Sequence, residues 1–548
     1  MPTAKYYITA FLLCIMILSG LHSQVAPDLY WLEFTDKQNT PFSLNKPEEF
    51  LSQRAIDRRI QQKILVTEQD IPVNKTYTDS LLDFNLELVL VSKWMNGALI
   101  RCADTNTLNA IQQLTFIKHL DRYPHLPETK SSKDEKYILA SEPAAAANYQ
   151  TQIEMLELDY LHNQGINGKG VLIGILDAGF KDVQTVESLQ HMWDSNKVLA
   201  MRDFVKDEEN MLSNHTHGTL VFSILAGWWP DRLVGSAPGA HYVLVRTEKG
   251  DTEYLAEEYS WLAGAEFADS IGVDIINSSL GYFQFHDSRQ NHSYDQLDGQ
   301  TTPVTLAALH ATRRGILVVN SAGNEGDNDW FQIIAPADAD SILAVGAVNY
   351  QETITAFSSR GPSSDVRIKP DVSAMGQYTY GQIARGAIYN CNGTSCSAPL
   401  ITGLAASLKQ NNGHCTAQQL REAIIESSDR FQYPDNNYGY GIPDALLANA
   451  ILLELKNESD LTDIKLFPNP TQEKLYIQIN LPWLQQAKSG IVYGLDLAGR
   501  MLFKYETNFV PDMNMFEVPQ TPILDAGFYM LYVEIDGRFY SLPFIKID

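Results

Sequence analysis

The sequence predicts an α/β protein in which a parallel sheet flanked by helices is preceded by a small α+β domain and followed by an all-β sandwich. Between residues 150 and 455, continuous apolar runs alternate with helical patterns, which is typical of parallel strands buried on both faces. Residues 24–126 mix short alternating strands with polar helices, and residues 460–548 hold short strands separated by turns. A chain of 548 residues is long enough for several such domains.

The composition is that of a folded protein with an acidic surface. Hydrophobic residues make up 45% of the chain, aromatic residues 10% and charged residues 20%, which argues against extensive disorder. The 41 basic and 66 acidic residues give a net charge of −25. This balance disfavours nucleic acids and anionic membranes as partners, because both are bound by clustered Lys and Arg side chains.

Residues 1–23 have the pattern of a secretory signal. Lys5 precedes an apolar stretch of 11 residues, Ile8 to Leu18, and small residues follow at Gly20 and Ser23. The stretch is too short to cross a bilayer as a helix, and a buried N-terminal helix is the alternative. No other run approaches the length of a membrane span, so we expect no span in the mature chain.

The first domain and the linker after it can be outlined from local patterns. LEFTD, LVLVSKW and GALIRCAD predict strands, and PEEFLSQRAIDRRIQQK predicts a helix that begins at Pro47. Residues 127–149 are polar and contain Pro, Ser and Lys, which predicts a protease-sensitive linker.

The strands of the other two domains follow from their apolar patterns. The central domain has buried-strand runs, and right-handed crossovers are expected between them: VLIGIL, HYVLVRT, VDIINSSL, ILVVNSAG and ILAVGAV. The tail has alternating runs, and an Asp536-Gly537 pair favours a tight hairpin between the last two: KLYIQI, GIVYGLDL, MLFKYE, GFYMLYVEI and FYSLPFIKI.

Two candidate catalytic residues lie at the ends of predicted elements. Asp177 follows the strand VLIGIL, at the edge where open α/β sheets place functional groups, although an Asp there is more often a turn or cap residue. His217 precedes the apolar helix LVFSILAG. A capping histidine, or a metal ligand together with His215, is the alternative, but a third ligand is not identifiable.

Two further candidates follow turns. Ser395 lies where the turn of NGTSCSAPL enters a helix, a common position for an N-cap serine but also one whose backbone N–H groups suit an oxyanion. Asn324 follows the predicted strand ILVVNSAG and lies between Gly323 and Gly326. It is either a left-handed turn residue or an amide donor for developing negative charge.

Together these residues occur in the order Asp, His, Ser, with spacings of 40 and 178 residues. Residues 150–450 contain, in order, DAGF, HGTLV, SSLG, SAGNEG, FSSRGP, KPDVSA and NGTSCSAP, and with these motifs the chain resembles the subtilisin-like serine proteases, or subtilases. The resemblance implies a catalytic triad of Asp177, His217 and Ser395, with Asn324 completing the oxyanion hole.

The same resemblance implies which residues contact the substrate. Ser279, Leu280 and Gly281 would pair with the substrate backbone as an edge strand, and Ser321, Ala322 and Gly323 would form one wall of the primary specificity pocket. The chain departs from the family pattern after Ser395, where Cys396-Ser397 replaces the common Met-Ala. A G-x-S-x-G elbow is absent around Ser395, which argues against an α/β-hydrolase esterase.

The flanking domains also resemble known modules. By position and α+β pattern, residues 24–126 look like a subtilase propeptide, which assists folding and inhibits the enzyme until it is cleaved within residues 126–150; a non-inhibitory N-terminal domain is the alternative. The tail, with Phe467-Pro468-Asn469-Pro470 before an alternating strand, looks like a type IX secretion sorting domain. A simple turn before a sandwich is the alternative.

We therefore expect a secreted or cell-surface serine endopeptidase made as a zymogen, with protein or peptide substrates, its own propeptide and a secretion machinery as partners, and no cofactor. A catalytically silent, surface-binding relative is the alternative.

Cleavage of the signal would remove Cys14, and Cys391 and Cys415 are then candidates for a disulfide outside the cell. Cys396 is expected to be a small buried side chain. Calcium sites occur in relatives, but no EF-hand pattern is found.

Overall fold

The computed structural model describes residues 28–121, 138–139, 148–205, 210–250, 253–460, 464–481, 484–496, 500–536 and 538–547. The predicted signal, and all of the predicted linker apart from residues 138–139 and 148–149, lie outside these residues. The chain forms two compact units, Met1–Leu446 and Leu447–Asp548. Among the described residues, none of the helices combines the length and the apolar character needed to cross a bilayer.

The N-terminal part of the first unit is a four-stranded antiparallel sheet in the order β2-β3-β1-β4 with three α-helices. Its strands are β1 Leu29–Phe34, β2 Glu87–Ser92, β3 Gly97–Arg101 and β4 Ile117–Leu120. Its helices are α1 Gln53–Gln61, α2 Lys75–Leu82 and α3 Thr105–Ile111, with short 3-10 helices at Pro47–Glu49 and Glu68–Asp70.

The first helix begins later than the sequence pattern predicts. Pro47–Glu49 forms only a 3-10 turn, and α1 starts at Gln53. The physical reason is the cap: Ser52 is extended, and its hydroxyl accepts a hydrogen bond from the Ala55 N–H. This bond satisfies one of the N–H groups that a helix start leaves without a partner. The prediction that the helix starts at Pro47 was wrong.

The rest of the first unit is built on a seven-stranded parallel sheet with the order β14-β13-β12-β11-β6-β10-β7. The strands of this region are β5 Ile138–Leu139, β6 Leu172–Asp177, β7 Val198–Asp203, β8 Trp228–Trp229, β9 Leu233–Val234, β10 His241–Arg246, β11 Ile275–Ser278, β12 Leu317–Ser321, β13 Leu343–Val348, β14 Val372–Met375, β15 Gln377–Ala384 and β16 Ala387–Asn392.

Helices flank this sheet, and they are α4 Thr151–Glu154, α5 Leu158–Asn163, α6 Gln190–Asp194, α7 His217–Ala226, α8 Ala256–Ile271, α9 Pro303–Thr312, α10 Thr394–Asn411 and α11 Ala417–Glu426, with 3-10 helices at Glu187–Leu189, Ser288–Gln290 and Tyr294–Gln296. A further helix, α12 Ala445–Asp460, runs across the boundary between the units. The predicted parallel sheet flanked by helices is confirmed.

All five strands predicted for this region are present, but the patterns do not predict the two edge strands of the sheet. The central strand β6 is buried along its whole length, as its continuous apolar run predicts. By contrast, β7 is partly exposed, and β14 has only four residues. β7 therefore lacks a continuous apolar run because it is partly exposed, whereas β14 is buried but too short to give one.

The second unit contains two antiparallel sheets, one in the order β17-β18-β21 and one in the order β20-β19-β22-β23. One hydrophobic cluster draws residues from both sheets, as in a sandwich. β22 and β23 pair with Ile535 opposite Arg538, in agreement with the predicted hairpin, while Gly537 of the predicted turn lies outside the described residues. The strands are β17 Ile464–Phe467, β18 Tyr476–Leu481, β19 Lys488–Asp496, β20 Met501–Phe509, β21 Asp512–Glu517, β22 Gly527–Ile535 and β23 Arg538–Lys546, with a 3-10 helix at Thr521–Ile523.

Candidate active site

A buried aspartate and histidine form the first half of the candidate site. Asp177 is the last residue of β6, and His217 is the first residue of α7. The His217 Nδ1 atom lies 2.8 Å from the Asp177 Oδ1 atom, and the two residues are 3% and 0% exposed. The same oxygen accepts a hydrogen bond of 2.7 Å from the Ala178 N–H. Because an ionised carboxylate only accepts hydrogen bonds, Nδ1 carries the proton in this contact.

A close approach between two backbone segments holds this pair together. The Gly218 N–H donates a hydrogen bond of 3.0 Å to the Gly179 carbonyl. A β-carbon added at Gly218 would lie 2.5 Å from that carbonyl oxygen, so a larger residue would push α7 away from the end of β6. Glycine at position 218 is therefore part of the geometry that brings His217 to Asp177.

Ser395 and Asn324 form the second half of the site. Ser395 is the second residue of α10 and is 6% exposed. The Asn324 Oδ1 atom accepts hydrogen bonds from the Thr394 N–H at 2.8 Å and from the Thr394 hydroxyl at 3.1 Å. These bonds occupy the oxygen of the amide, so its NH₂ group is turned away from Thr394. A β-carbon added at Gly393 would lie 3.0 Å from Ser395 Oγ and 3.6 Å from Asn324 Nδ2, which places both atoms around the same small space.

The helices that carry these two halves are in contact, since α7 packs against α10. The helix that begins with His217 therefore lies beside the helix that begins with Thr394 and Ser395. Both helices start near the carboxyl ends of the parallel strands, where open α/β sheets place their sites.

The residues predicted to line the substrate cleft lie after two neighbouring strands. Ser279, Leu280 and Gly281 follow β11, whereas Ser321 ends the adjacent strand β12 and Ala322 and Gly323 follow it. The two segments are joined at the Leu280 carbonyl, which accepts hydrogen bonds from Asn320 Nδ2 at 3.0 Å and from Ser321 Oγ at 3.4 Å.

Ser279 also contacts the start of α10. Its hydroxyl donates a hydrogen bond of 3.0 Å to the Ser395 carbonyl. In a regular helix that carbonyl would accept from the N–H four residues later, but position 399 is a proline, which has no N–H. Asn277 extends the connection, since its Oδ1 accepts from the Thr402 hydroxyl at 2.8 Å. Asn277 in β11 and Ser279 just after it thus hold the first turns of α10 in place.

Sequence reasoning missed Thr394 and Asn277 as residues that support the site. The proline at position 399 was an available signal, because a proline inside a helix leaves the carbonyl four residues earlier in need of another donor. For Asn277 and Thr402, which are distant in sequence, the local pattern holds no comparable signal.

The cysteines pair differently from the expectation. Cys391 forms a disulfide with Cys396, five residues later, and Cys415 is a buried free cysteine, as is Cys102. The predicted candidate pair Cys391–Cys415 was wrong. Cys396 is buried, as predicted, but it is disulfide-bonded and does not act simply as a small hydrophobic side chain. The bend from β16 into α10 brings Cys391 and Cys396 together. Their positions in the sequence do not by themselves indicate this proximity. The disulfide closes a short loop that contains Ser395.

His215 has a local role. Its Nδ1 atom accepts a hydrogen bond of 3.2 Å from the His217 N–H. Within the described ranges of the chain, no group of three or more His, Cys, Asp or Glu side chains is arranged to hold a metal ion.

The N-terminal domain packs against α8 and α9 of the sheet region. Trp31 stacks on Tyr259 with ring centroids 4.3 Å apart, and both belong to one hydrophobic cluster. Glu266 of α8 accepts hydrogen bonds from the Ser92 hydroxyl at 2.5 Å and from the N–H groups of Lys93 and Trp94, each at 3.0 Å. Burial raises the pKa of Glu266.

A buried ion cluster completes this contact. Asp269 of α8 is fully buried, and its oxygens lie 2.5 Å from Arg58, 2.9 Å from Arg59 and 3.3 Å from Lys93. Burial by itself would raise the pKa of Asp269, but these three positive charges outweigh it and hold that pKa well below its usual range. Asp70 of the N-terminal domain pairs in turn with Arg314 at 2.6 Å. Asp269 therefore stays ionised, and its partners are supplied by the N-terminal domain.

Comparison with known proteins agrees with this architecture. Residues 168–441, half of the chain, match the subtilase family, and residues 29–137 match the peptidase S8 propeptide domain of Bacteroidota. Subtilisin DY of Bacillus licheniformis is 29% identical over 292 residues, which cover 51% of this chain and 93% of the relative. Subtilisin E of Bacillus subtilis (strain 168) is 29% identical over 298 residues, covering 53% and 68%.

A third relative, subtilisin BL of Lederbergia lenta, is 27% identical over 295 residues, which cover 54% of this chain and 96% of the relative. The similarity spans the parallel sheet and all of the candidate site residues, while the N-terminal domain has its own match to a propeptide. The chain therefore belongs to the subtilase family of serine peptidases.

Proposed function

We propose that the protein is a secreted serine endopeptidase that hydrolyses peptide bonds through a triad of Asp177, His217 and Ser395 and an acyl-enzyme intermediate. The observation that carries the proposal is the 2.8 Å contact between His217 Nδ1 and Asp177 Oδ1. It orients the imidazole and leaves Nε2 as the nitrogen for proton transfer.

The proposed steps follow from these roles. Ser395 Oγ attacks the scissile carbonyl while His217 Nε2 takes the hydroxyl proton, and Asp177 stabilises the resulting imidazolium. Asn324 Nδ2 and the Ser395 N–H donate hydrogen bonds to the oxyanion. Collapse of the intermediate breaks the C–N bond, and the proton on His217 passes to the leaving amine. A water then attacks the Ser395 ester by the same path, which releases the carboxylic acid and regenerates the enzyme.

Fluorophosphonate labelling tests the nucleophile. The processed wild-type enzyme is expected to be labelled rapidly. Ser395→Ala, cleaved within residues 126–150 by an added protease because it should not process itself, is expected to lose both the label and about 10⁶-fold in kcat. Ser397→Ala is a matched control, because Ser397 lies in the same helix turn and its hydroxyl donates a hydrogen bond of 3.0 Å to the Thr394 carbonyl of that turn. Labelling of the Ser395→Ala variant would remove Ser395 from the proposed role.

The alternative hypothesis is a catalytically silent, subtilase-like surface-binding protein in which the β-sandwich is the binding domain. It predicts no labelling and no peptide hydrolysis in the processed wild type. The presence of Asp, His, Ser and Asn at all four candidate positions favours the hypothesis of an active enzyme. A protein without catalytic function would not need all four side chains.

In this proposal, residues 24–126 are a propeptide that inhibits the enzyme intramolecularly until the zymogen is cleaved within residues 126–150. The match of residues 29–137 to a propeptide domain and the buried contacts of Asp269 and Glu266 support this role. N-terminal sequencing of active enzyme should find a start within residues 126–150, and Ser395→Ala should remain unprocessed. A start before residue 126 would contradict the assignment.

Residues 1–23 are proposed as a cleaved signal and residues 460–548 as a sorting domain that carries the protein across the outer membrane. The Asn469 amide supports a structural role for the Pro-Asn-Pro segment: its Nδ2 donates to the Pro543 carbonyl at 3.0 Å, and its Oδ1 accepts from the Ile545 N–H at 2.9 Å. Deletion of residues 460–548 is expected to retain the protein inside the cell, as measured by fractionation. Unchanged export would contradict the sorting role.

A further inference from the structure

The predicted wall of the specificity pocket, Ser321 to Gly323, lies across a narrow gap from the predicted edge strand, Ser279 to Gly281. Gly281, after β11, and Gly323, after β12, each present a bare α-carbon on the side of the gap. In a pocket of this kind the size of the gap decides which substrate side chain fits next to the scissile bond.

A side chain of the protein itself occupies that gap. A β-carbon added at Gly281 would lie 2.3 Å from the Cδ1 atom of Ile334, and one added at Gly323 would lie 2.9 Å from its Cγ1 atom. The side chain of Ile334 is thus packed against both glycines at once. It is 7% exposed, so only a small part of it remains accessible from the cleft.

Backbone hydrogen bonds on both sides of Ile334 fix its main chain beside the two glycines. The Ile334 N–H donates to the Ala322 carbonyl at 3.2 Å. The next residue, Ala335, exchanges two backbone hydrogen bonds with Tyr282, at 2.8 and 3.1 Å. A movement of the Ile334 backbone would break these bonds, so the side chain can leave the gap only by changing its rotamer, which its dense packing opposes.

We infer that Ile334 closes the bottom of the specificity pocket and restricts the enzyme to substrates with a small P1 side chain, such as alanine or serine. This inference rests on the proposed function and specifies its substrate class. A larger aromatic or branched side chain would have to displace the four carbons of Ile334, and close-packed interiors resist such overpacking.

The region in which the zymogen is proposed to be cleaved contains residues with small side chains. Ala144 to Ala147 lie between the end of the propeptide match at residue 137 and the start of the subtilase match at residue 168. A pocket that accepts alanine is compatible with self-cleavage in this stretch.

The test measures kcat/KM of the processed enzyme on succinyl-Ala-Ala-Pro-X-p-nitroanilides, where X is Ala, Leu or Phe. The wild type is expected to favour Ala over Phe by at least 10-fold. Ile334→Gly should raise kcat/KM for Phe by at least 10-fold and change that for Ala far less, and Ile334→Ala should give an intermediate ratio.

Ile333→Ala is the matched control. Ile333 is fully buried one position earlier, in a separate cluster with Ala322, Ala337 and Ala344, so its truncation removes a similar volume without opening the gap. It should leave the Ala-to-Phe ratio within about threefold of wild type. If Ile334→Gly fails to fold, Ile334→Ala and Ile334→Val provide the graded series.

Labelling by a fluorophosphonate separates the two possible failures. A wild type that is labelled but prefers Phe or Leu overturns the role of Ile334 and leaves the proposed function intact, as does a ratio that is unchanged in Ile334→Gly. A wild type that is neither labelled nor active overturns the proposed function, and the inference fails with it.

Discussion

The Ser279 hydroxyl donates a hydrogen bond of 3.0 Å to the Ser395 carbonyl, and so the residue that follows the strand β11 replaces the helical donor that Pro399 cannot provide. The Ser395 side chain depends on the position of this first turn. The bond therefore links the strand β11 to the orientation of the proposed nucleophile.

Ser279→Ala is expected to lower the free energy of unfolding by about 1–3 kcal/mol, because a buried carbonyl loses its donor. The mature enzyme's kcat should fall more than its KM changes, since the turn that carries Ser395 is loosened. Urea denaturation and steady-state kinetics measure the two effects. Pro399→Ala restores an N–H at position 399, so the double variant should regain part of the lost stability; a double variant no more stable than Ser279→Ala would contradict this account.

Asn324→Asp tests the hydrogen-bond donor of the Asn324 side chain separately from its acceptor. The carboxylate can still accept the hydrogen bonds from Thr394, but it has no N–H to donate. The variant should fold with a wild-type near-ultraviolet circular dichroism spectrum. Its kcat should fall roughly 10²- to 10³-fold, as it does when the corresponding amide of a subtilisin is removed. Retention of wild-type kcat would exclude Asn324 Nδ2 as an oxyanion donor.

The Cys391–Cys396 disulfide should make the enzyme sensitive to reductants. It closes a loop that contains Ser395, and chain-entropy reasoning for so short a loop assigns it about 2 kcal/mol. Dithiothreitol, or the double variant Cys391→Ala/Cys396→Ala, should lower thermal stability and kcat together. Cys415→Ala is the control, because Cys415 is buried and free and its loss should leave the response to reductant unchanged. Full activity of the reduced wild type would contradict the prediction.

Acidification should favour release of the N-terminal domain through His310. The His310 ring lies against Trp94 of that domain, at 5.9 Å between centroids, and burial together with the charges of Arg314 and Arg313 lowers its pKa to about 4. Once exposed, His310 would titrate near 6.5. Between pH 6.5 and 4 the released form therefore binds the extra proton, and the docked form loses stability as pH falls.

We expect the onset of activity after processing to be roughly 10-fold faster at pH 5 than at pH 7 when all samples are assayed at one fixed pH. Glu266 acts in the opposite direction, because burial raises its pKa in the docked form. His310→Gln should flatten the pH dependence between 5 and 7. An equally steep dependence in His310→Gln would assign the effect to another group.

Much of the fold and of the candidate site could be predicted from local patterns. The buried runs that became β6, β11 and β12 are recognisable because a strand covered on both faces must be apolar throughout. Asp177 ends such a strand, Asn324 follows another, and His217 and Ser395 lie at helix starts, so their positions at one edge of the sheet follow from parallel topology. The start of α1 was misjudged because the cap at Ser52, and not Pro47, decides where the helix begins.

Apolar periodicity and short motifs along the chain are sufficient to predict the fold class, the order of the candidate catalytic residues and the family. Three contacts become apparent only in the folded chain: the pairing of Cys391 with Cys396, the bond from Ser279 to the Ser395 carbonyl, and the packing of Ile334 between Gly281 and Gly323. These contacts depend on how strand ends and helix starts pack in three dimensions. Such packing leaves no periodic signal in the chain itself.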